Sequence, residues 1–263
     1  MAPDGPNLLY HYTTQDGFLG IIKSKSLWAS SIRHLNDASE FNYALDIAGK
    51  IAADEKENGK DTEQFERTLR MMRGLLNVHV CSFSREKDQL SQWRAYCRDS
   101  SGFSIGFDAE RLRTLAGEQD FTLEECLYDE IEHDCGIRGL IDSVLAVTNE
   151  KLPEKPILFL TEFMKIAPRM KHPSFIEERE WRLVNKTVMG TAPSTDILYR
   201  AGKSFVIPYR EFRLGSVESA LKEIVVGPTP HPQLSIRTTA ELLWHQGIKG
   251  VDVKPSRVPF RSW

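Results

Sequence analysis

The sequence predicts a globular fold of the α+β class, in which helices pack around a sheet of mixed strand order. Two patterns predict it: short β-rich runs recur along the chain, and amphipathic helical stretches lie between them. The 263 residues are 41% hydrophobic, which is enough to bury a sizeable core. Since no internal repeat or linker divides the chain, we expect one domain over residues 1–263, with helical insertions near 37–76 and 129–168.

The first third of the chain predicts a strand followed by three helices. Leu8–Tyr12 has the composition of a short strand, and Thr13-Thr14 offers an N-cap to the first helix. A capping-box pattern at Asp37 and Glu40 begins the second helix, which runs to the break at Asn58-Gly59. Apolar residues at helical spacing mark the three helices: Phe18, Leu19, Ile21 and Ile22, then Phe41, Ala44, Leu45, Ala48, Ile51 and Ala52, then Phe65, Leu69 and Met72.

The remainder of the chain predicts most of the sheet. β-Rich runs are separated by turn residues and by helical patterns, as in a sheet with helical connections. The predicted strands are residues 78–84, 103–107, 121–128, 181–184, 204–209, 222–226 and 251–253. The predicted helices are residues 88–96, 131–145 and 232–244, with a further helical stretch after Pro156.

Charge and cysteine content exclude several classes of partner. The chain carries 34 Lys and Arg against 37 Asp and Glu, so it has no global electrostatic footprint for nucleic acid or membrane, and any nucleic-acid contact must be local. Neither a signal peptide nor an apolar run of about 18 residues is present, so we expect a cytoplasmic protein with no membrane partner. The cysteines have no metal-ligand or disulfide spacing and are expected to be small buried residues: Cys81, Cys97, Cys126 and Cys135.

Familiar catalytic motifs are absent from the sequence. It contains no GxxxxGK[ST] phosphate loop, no GxGxxG, no HExxH and no GxSxG. This disfavours NTPases, Rossmann dehydrogenases, zinc proteases and α/β-hydrolases. Nucleophilic catalysis by Ser82 or Ser84 with His11 stays open, although no glycine-rich oxyanion loop accompanies these residues.

Reactive side chains concentrate in four segments beside predicted strands: residues 10–13, 81–84, 92–96 and 177–182. Some of them have an equally simple structural interpretation. His11 can be a hydrogen-bonded core histidine. Trp93 and Tyr96, three residues apart, can form one helix face that packs on the sheet.

Glu178, Glu180 and Arg182 alternate along a predicted extended stretch, so their side chains point to the same face. Such a face can be a solvated edge. A carboxylate pair held there can also bind a ribose hydroxyl and stabilise positive charge that develops at an anomeric carbon.

The chain resembles the bacterial domain-of-unknown-function family number 2971 over nearly its whole length. The motifs that carry the resemblance are LYHYT, LWASSIRHLNDASEF, CSFSREKDQLSQWRAY, GFSIGFD, HPSFIEEREWRL and IVVGPTP. Their succession also resembles the ADP-ribosyltransferase superfamily of the diphtheria-toxin and poly-ADP-ribose-polymerase type. That resemblance implies a mixed or antiparallel split sheet with added helices, and NAD as a substrate in a reaction without a metal.

The second resemblance implies a role for each matching residue. His11 would hydrogen-bond the adenosine-side ribose of NAD, Tyr96 would stack on the nicotinamide, and Glu180 would stabilise the ribosyl oxocarbenium ion. Ser82 and Ser84 resemble the Ser-x-Ser strand of the arginine-modifying branch.

Glu178 and Glu180 resemble the Glu-x-Glu pair of the same branch, in which Glu178 would activate the acceptor. Arg33 and Arg94 would contact the pyrophosphate by charge-assisted hydrogen bonds. The cofactor site would also include Tyr12, Thr13 and Trp93.

The resemblance therefore predicts an ADP-ribosyltransferase that modifies DNA, RNA or protein, as a toxin or phage-defence effector with an antitoxin or other regulatory partner. Two alternatives stay open: a non-catalytic nucleotide or nucleic-acid sensor, and an NAD glycohydrolase. A basic tail is consistent with nucleic-acid binding, although an ordinary surface tail is the commoner explanation of such residues: Lys254, Arg257, Phe260, Arg261 and Trp263.

We expect one cleft to hold His11, Ser82, Tyr96 and Glu180, with His11 within about 15 Å of Glu180. We also expect Glu180→Gln to abolish turnover while the fold and the NAD affinity stay nearly intact. Glu178→Gln should suppress transfer but spare slow NAD hydrolysis.

Overall fold

The computed structural model describes residues 5–34, 39–75, 78–97, 102–145, 154–185, 196–202 and 204–259 of the chain. Within these ranges ten strands form one sheet, and helices cover both of its faces. The strands are β1 (Leu8–Thr13), β2 (Ser26–Ser31), β3 (His79–Ser84), β4 (Phe103–Asp108), β5 (Phe121–Glu125), β6 (Glu180–Asn185), β7 (Leu198–Ala201), β8 (Val206–Arg213), β9 (Leu221–Val226) and β10 (Asp252–Pro255).

The helices are α1 (Gln15–Ser24), α2 (Ser39–Glu57), α3 (Glu63–Leu75), α4 (Leu90–Tyr96), α5 (Ala109–Glu118), α6 (Glu130–Leu145), α7 (Glu154–Ile166), α8 (Val217–Ala220) and α9 (Pro232–His245). Short 3-10 turns cover Ile32–His34, Ala167–Arg169 and Pro173–Glu178. None of the helices in the described ranges is long and apolar enough to cross a bilayer.

The predicted α+β class is confirmed, with a mostly antiparallel sheet. The strands follow the order β10-β9-β4-β1-β3-β2-β8-β7, and β6 joins β3 to β5. Each pairing between these strands is antiparallel except that of β9 with β10. The sequence patterns did not predict β2, β7 or α5, and the predicted helix start at Asp37 lies outside the described residues, as do Phe260, Arg261 and Trp263.

Alternation along the strands divides the core between two faces of the sheet. The rear face carries Leu9, Phe83 and Leu183, which pack with apolar residues of α1, α5 and α9. The front face carries Val80 and Val184, which pack under α2, α3, α6 and α7. Because successive side chains of a strand point to opposite faces, each residue of β1, β3 and β6 is assigned to one face by its register.

Local capping fixes the link from β1 to β2. The Thr14 side chain accepts a hydrogen bond from the Gly17 amide at 3.2 Å, so the predicted N-cap of α1 is confirmed. Glycine at position 17 leaves room for Thr13, because a Cβ there would lie 2.0 Å from the Thr13 hydroxyl oxygen and would force this side chain to move. The helix ends at Ser24, Lys25 caps it in the left-handed conformation, and β2 begins at the next residue.

The cysteines follow the prediction in three of four cases. Cys81, Cys97 and Cys126 are buried, but Cys135 on α6 is exposed, and all four are free thiols. Burial raises the pKa of the Cys81 thiol to about 12, with a further contribution from the charge of Glu180. Cys81 is therefore protonated near neutral pH and is not an activated nucleophile.

Candidate functional site

The central strand β3 has three partner strands, which creates a fork in the sheet. β6 pairs with Val80 to Ser84 along one edge of β3. The other edge is shared, because β2 pairs with its first residues and β1 pairs with Ser84 at its end. β1 and β2 therefore separate along this edge, and side chains near the gap can reach backbone groups of β3.

His11 lies at this fork. Its Nδ1 atom is 2.9 Å from the carbonyl oxygen of Ser82, and its ring packs 5.8 Å from that of Phe83. Since a carbonyl oxygen only accepts, Nδ1 carries the hydrogen and Nε2 keeps its lone pair in the neutral ring. Burial lowers the pKa of His11, and the hydrogen bond to Ser82 opposes this shift. His11 therefore makes the structural hydrogen bond that a core histidine was expected to make, and its imidazole is neutral at pH 7.

A cluster of buried charges lies on the front face where β6 begins. Arg182 donates to both carboxylate oxygens of Glu180, at 2.7 and 2.9 Å, and to the carbonyl oxygen of Pro168 at 2.9 Å. Lys171 contacts the carboxylates of both Glu178 and Glu180. Glu180 is 4% exposed, Arg182 1% and Lys171 3%, so this cluster is not the solvated edge that the alternation alone allowed.

The electrostatics of the cluster keep Glu180 ionised. Burial raises the pKa of its carboxyl group, but the charges and hydrogen bonds of Arg182 and Lys171 outweigh burial and hold the pKa well below its usual range. Two positive side chains thus balance Glu178 and Glu180. The backbone of β6 is fixed here as well, because the Glu180 amide donates to the Tyr128 hydroxyl at 2.8 Å.

α4 is anchored to β1 by aromatic packing. Trp93 is fully buried and meets Tyr12 edge-to-face at 4.8 Å, within a cluster that also contains Tyr10. Tyr96 is half-buried against the same cluster. The Tyr12 hydroxyl donates to the Glu86 carbonyl at 2.7 Å and accepts from the Gln89 amide at 3.0 Å, so it fixes the segment that leads into α4.

Asp88 ties α4 to residues 256–258. Its carboxylate accepts hydrogen bonds from Trp93 Nε1 at 2.8 Å, from the Ser256 hydroxyl at 2.5 Å and from the Arg257 amide at 2.7 Å. Val258 packs against the aromatic cluster behind α4. The C-terminal segment is therefore part of the wall that positions α4.

We expect Asp88→Ala to lower the free energy of unfolding by about 1–3 kcal/mol, because the buried indole N–H of Trp93 would lose its acceptor. Urea denaturation followed by circular dichroism measures this change. The matched control is Asp142→Ala, which removes a carboxylate that is 60% exposed and pairs with Lys60. Equal urea midpoints for the two variants would show that Asp88 does not hold the segment.

A cavity of about 520 Å³ opens between α4 and the 3-10 turn Pro173–Glu178. It is lined by Gln89, Leu90, Ser91, Arg94, Ala95 and Glu177. The side-chain nitrogen Nε2 of Gln89 donates to the backbone carbonyl of Glu177 at 2.7 Å and so ties the two walls together. In the described part of the chain, Gln89 Oε1 and Ser91 Oγ are buried and make no hydrogen bond.

The predicted site residues come together only in part. Tyr12, Ser82, Ser84 and Glu180 share the front face by strand register, and two strand spacings put the backbones of Tyr10 and Glu180 about 10 Å apart. His11 occupies a β1 position that alternation assigns to the rear face.

The other predicted residues have varied positions. Ser84 is occupied by structural contacts, since its hydroxyl donates to the Glu178 carbonyl at 2.7 Å and accepts from the Glu86 amide. Thr13 ends β1, and Arg94 lines the cavity. Arg33 lies in the 3-10 turn after β2, and β2 meets the end of β3 that is remote from α4.

Sequence reasoning missed Lys171, Tyr128, Asp88 and Gln89. Lys171 stands nine residues before Glu180, outside every alternation pattern, and only the fold brings it to the carboxylates. Among the described residues, no group of three His, Cys, Asp or Glu side chains is arranged to hold a metal ion.

Comparison with known families gives one result. A family model described as "Protein of unknown function (DUF2971)" matches residues 92–183. Searches of curated proteins and of solved structures gave no match. The matched stretch runs from α4 to β6 and includes Trp93, Arg94, Tyr96, Glu178 and Glu180. It supports the resemblance of this chain to domain-of-unknown-function family number 2971.

Proposed function

We propose that the chain is an NAD-dependent ADP-ribosyltransferase that modifies a cellular macromolecule. The observation that carries the proposal is the pair of carboxylates Glu178 and Glu180: Lys171 bridges them, Glu180 is held ionised, and Glu178 directly follows Glu177, which lines the cavity. A buried carboxylate that stays ionised can stabilise the positive charge of a ribosyl cation.

The cavity has polar groups that suit a dinucleotide. Its volume of about 520 Å³ falls within the usual range for small-molecule sites. Arg94 supplies positive charge for a pyrophosphate. Gln89 Oε1 can accept from an amino or hydroxyl group of the ligand, and Ser91 Oγ can donate or accept.

The proposed reaction breaks the bond between C1′ of the ribose and the nicotinamide nitrogen. Nicotinamide leaves with the bonding electron pair, and Glu180 stabilises the positive charge that remains on the ribosyl group. A nucleophile of the acceptor then forms the new bond to C1′. Its proton passes to Glu178, whose side chain is 20% exposed and can reach solvent.

This chemistry requires a local rearrangement. Both oxygens of Glu180 are occupied by Arg182 and Lys171, so ribose hydroxyls must replace one of these cations. Lys171 is the one that can leave, because it reaches Glu180 from a separate segment, whereas Arg182 lies two residues away on the same strand. Glu178 can retain Lys171 when Glu180 releases it.

A second candidate is a non-catalytic module that binds a nucleotide in the same cavity. The observation that favours it is the burial of Glu180, which is 4% exposed and whose carboxylate oxygens are both paired with cations. In this alternative, the charged cluster only supports β6 and the turn before it. NAD or a related nucleotide would then bind without losing nicotinamide.

Incubation of the protein with NAD labelled in the adenylate, together with a bacterial lysate, tests the function. We expect free nicotinamide to appear and label to enter one of the separated protein, DNA or RNA fractions. Release of nicotinamide without labelling of any fraction would indicate an NAD glycohydrolase. Calorimetric binding of NAD without release would favour the sensor, and neither binding nor release by the folded protein would remove NAD as the substrate.

The same proposal extends to cells. For a toxin or phage-defence effector in the cytoplasm, with an antitoxin or other regulator as its partner, induced expression should arrest growth of the host. Glu180→Gln should not. Equal growth with the wild-type protein and with this variant would argue against a toxic activity.

A further inference from the structure

The far end of the sheet has an aromatic surface on its front face. Trp28 of β2 is 43% exposed, and its ring lies 4.5 Å from that of Tyr209 on β8, at an interplanar angle of 30°. Strand pairing places Leu198 of β7 opposite Tyr209, so all three side chains share one face. We refer to the surface formed by Trp28, Leu198, Arg200, Tyr209 and Arg213 as the Trp28 surface.

Arg200 gives this surface a positive charge that is partly desolvated. Its Nη2 donates to the Ser30 hydroxyl at 3.1 Å, while its buried Nε has no acceptor in the described part of the chain. Burial lowers the pKa of Arg200, and no carboxylate contributes to the shift. Arg213 is exposed on the same face, opposite Ser26, and Glu211 is the acidic residue between them.

Aromatic side chains continue past the end of β2. Phe205 is 54% exposed and its ring lies 5.4 Å from that of His34. This contact brings the 3-10 turn that contains Arg33 beside the connection from β7 to β8. An extended ligand could therefore pass from the Trp28 ring along the strands towards this turn.

We propose that the Trp28 surface binds single-stranded nucleic acid. An exposed indole on an open sheet face offers a stacking platform for an unpaired base, and the guanidinium groups can contact the phosphates on either side. In a duplex the bases are paired and stacked on one another, so no base is free to stack on Trp28. The net charge of the whole chain does not oppose this, because the Trp28 surface carries Arg200 and Arg213 against the one carboxylate of Glu211. Glu118 and Asp196 lie at its Leu198 edge, where Asp196 pairs with Arg210.

The charge of the surface also argues against a second copy of the chain as the ligand. A symmetric contact would place Arg200 and Arg213 against the same residues of the other copy. Two arginines and one glutamate on each side would leave like charges in contact in a desolvated interface. A polyanion is complementary to the same groups.

The binding itself does not depend on the proposed function, because it requires no NAD. A further role of the Trp28 surface, in which it holds the acceptor for ADP-ribosylation, rests on the proposed function. The Trp28 surface and Glu180 share the front face of the sheet by strand register. A strand held at the surface would then be the acceptor of the ADP-ribosyl group.

Fluorescence anisotropy with labelled single strands of about 12 nucleotides, as DNA and as RNA, tests the inference without NAD. We expect Trp28→Ala to weaken binding of at least one of the two strands by about tenfold. The matched control is Trp244→Ala on α9, where the indole is 71% exposed and lies at the opposite end of the strand order. The corresponding duplex should bind at least about tenfold more weakly than the single strand.

Arg200→Gln provides a second test that does not depend on the fold of the Trp28 variant. We expect it to reduce the slope of log affinity against log salt by about one, as the loss of one phosphate contact does. Arg237→Gln, which changes an arginine that is 80% exposed on α9, should leave the slope unchanged. Thermal melting establishes that each variant is folded.

Three results would overturn the inference: no binding of either strand by the folded wild-type protein at low salt, equal loss of affinity in the Trp28 and Trp244 variants, or a dimer in solution that Trp28→Ala dissociates. The last would assign the surface to a second copy. Turnover of NAD without strand binding would refute this inference and leave the proposed function standing. Strand binding without turnover of NAD would refute the proposed function and leave this inference standing.

Discussion

Glu180→Gln is expected to lower the rate of nicotinamide release by about 100- to 1,000-fold, which is the usual loss when a group that stabilises transition-state charge is removed. Glutamine keeps the shape of the side chain but not its negative charge. The charge matters most when the ribosyl group becomes positive. Release of labelled nicotinamide, divided by the folded fraction of the sample, measures the effect.

Burial of Glu180 changes one expectation drawn from the sequence. The substitution leaves Lys171 and Arg182 buried with only Glu178 to balance them, so the variant should be less stable as well as less active. Lys171→Met separates the two effects. It also disrupts the cluster, but it keeps Glu180 anionic and removes the cation that competes with ribose.

Lys171→Met should therefore retain or increase nicotinamide release per folded molecule, whereas Glu180→Gln should lose it. Glu178→Gln should lower transfer to the acceptor and spare slow hydrolysis of NAD. Wild-type turnover in Glu180→Gln would end the ADP-ribosyltransferase proposal. Equal loss per folded molecule in the Lys171 and Glu180 variants would mean that release depends on the intact cluster and not on the negative charge of Glu180.

Arg182→Met should lower the free energy of unfolding by about 3–5 kcal/mol, because it removes the bidentate partner of a buried carboxylate. It also leaves the Pro168 carbonyl without its donor. Urea denaturation at neutral pH measures the loss. The matched control is Arg138→Met: this arginine has three carboxylate partners, but its side chain is 37% exposed, and the expected loss is under about 1 kcal/mol.

The double variant Arg182→Met with Glu180→Gln should be more stable than Arg182→Met alone, since it no longer buries an unpaired carboxylate. Additive losses in the double variant would contradict a coupled pair. The pH dependence has a definite sign. Because the folded state holds the pKa of Glu180 below its usual range, its contribution is present at neutral pH and is lost as the pH falls below about 4.3, the value for an unfolded-chain glutamate.

Local sequence patterns predicted the strands that contain short runs of large apolar and β-branched residues. β4, β6 and β9 appear close to their predicted bounds, and Thr14 caps α1 as expected. β2 escaped prediction because Ser26–Ser31 contains only two large apolar residues, Leu27 and Trp28, and no β-branched residue. Its partner β8 is about 180 residues away, so no local signal could supply the pairing.

The candidate site was predictable in its residues but not in its arrangement. Alternation correctly placed Glu180 and Arg182 on one face, but it was wrong for Glu178, which lies before β6 in the 3-10 turn Pro173–Glu178 and is linked to Glu180 through Lys171. It could not show that Arg182 would fold back onto Glu180, or that Lys171 would complete the cluster from another segment. Nor could it show the fork on β3, which depends on two strands that share one edge and which places His11 against the backbone of Ser82.

The anchoring of Ser256 and Arg257 to Asp88 has a consequence for the order of folding during synthesis. These contacts join residues 168 and 169 positions apart, so α4 can be emerging from the ribosome long before its last partners are translated. Loop closure over such a span comes late. The wall of the cavity is therefore completed only after residues 256 and 257 have been made and have left the ribosome.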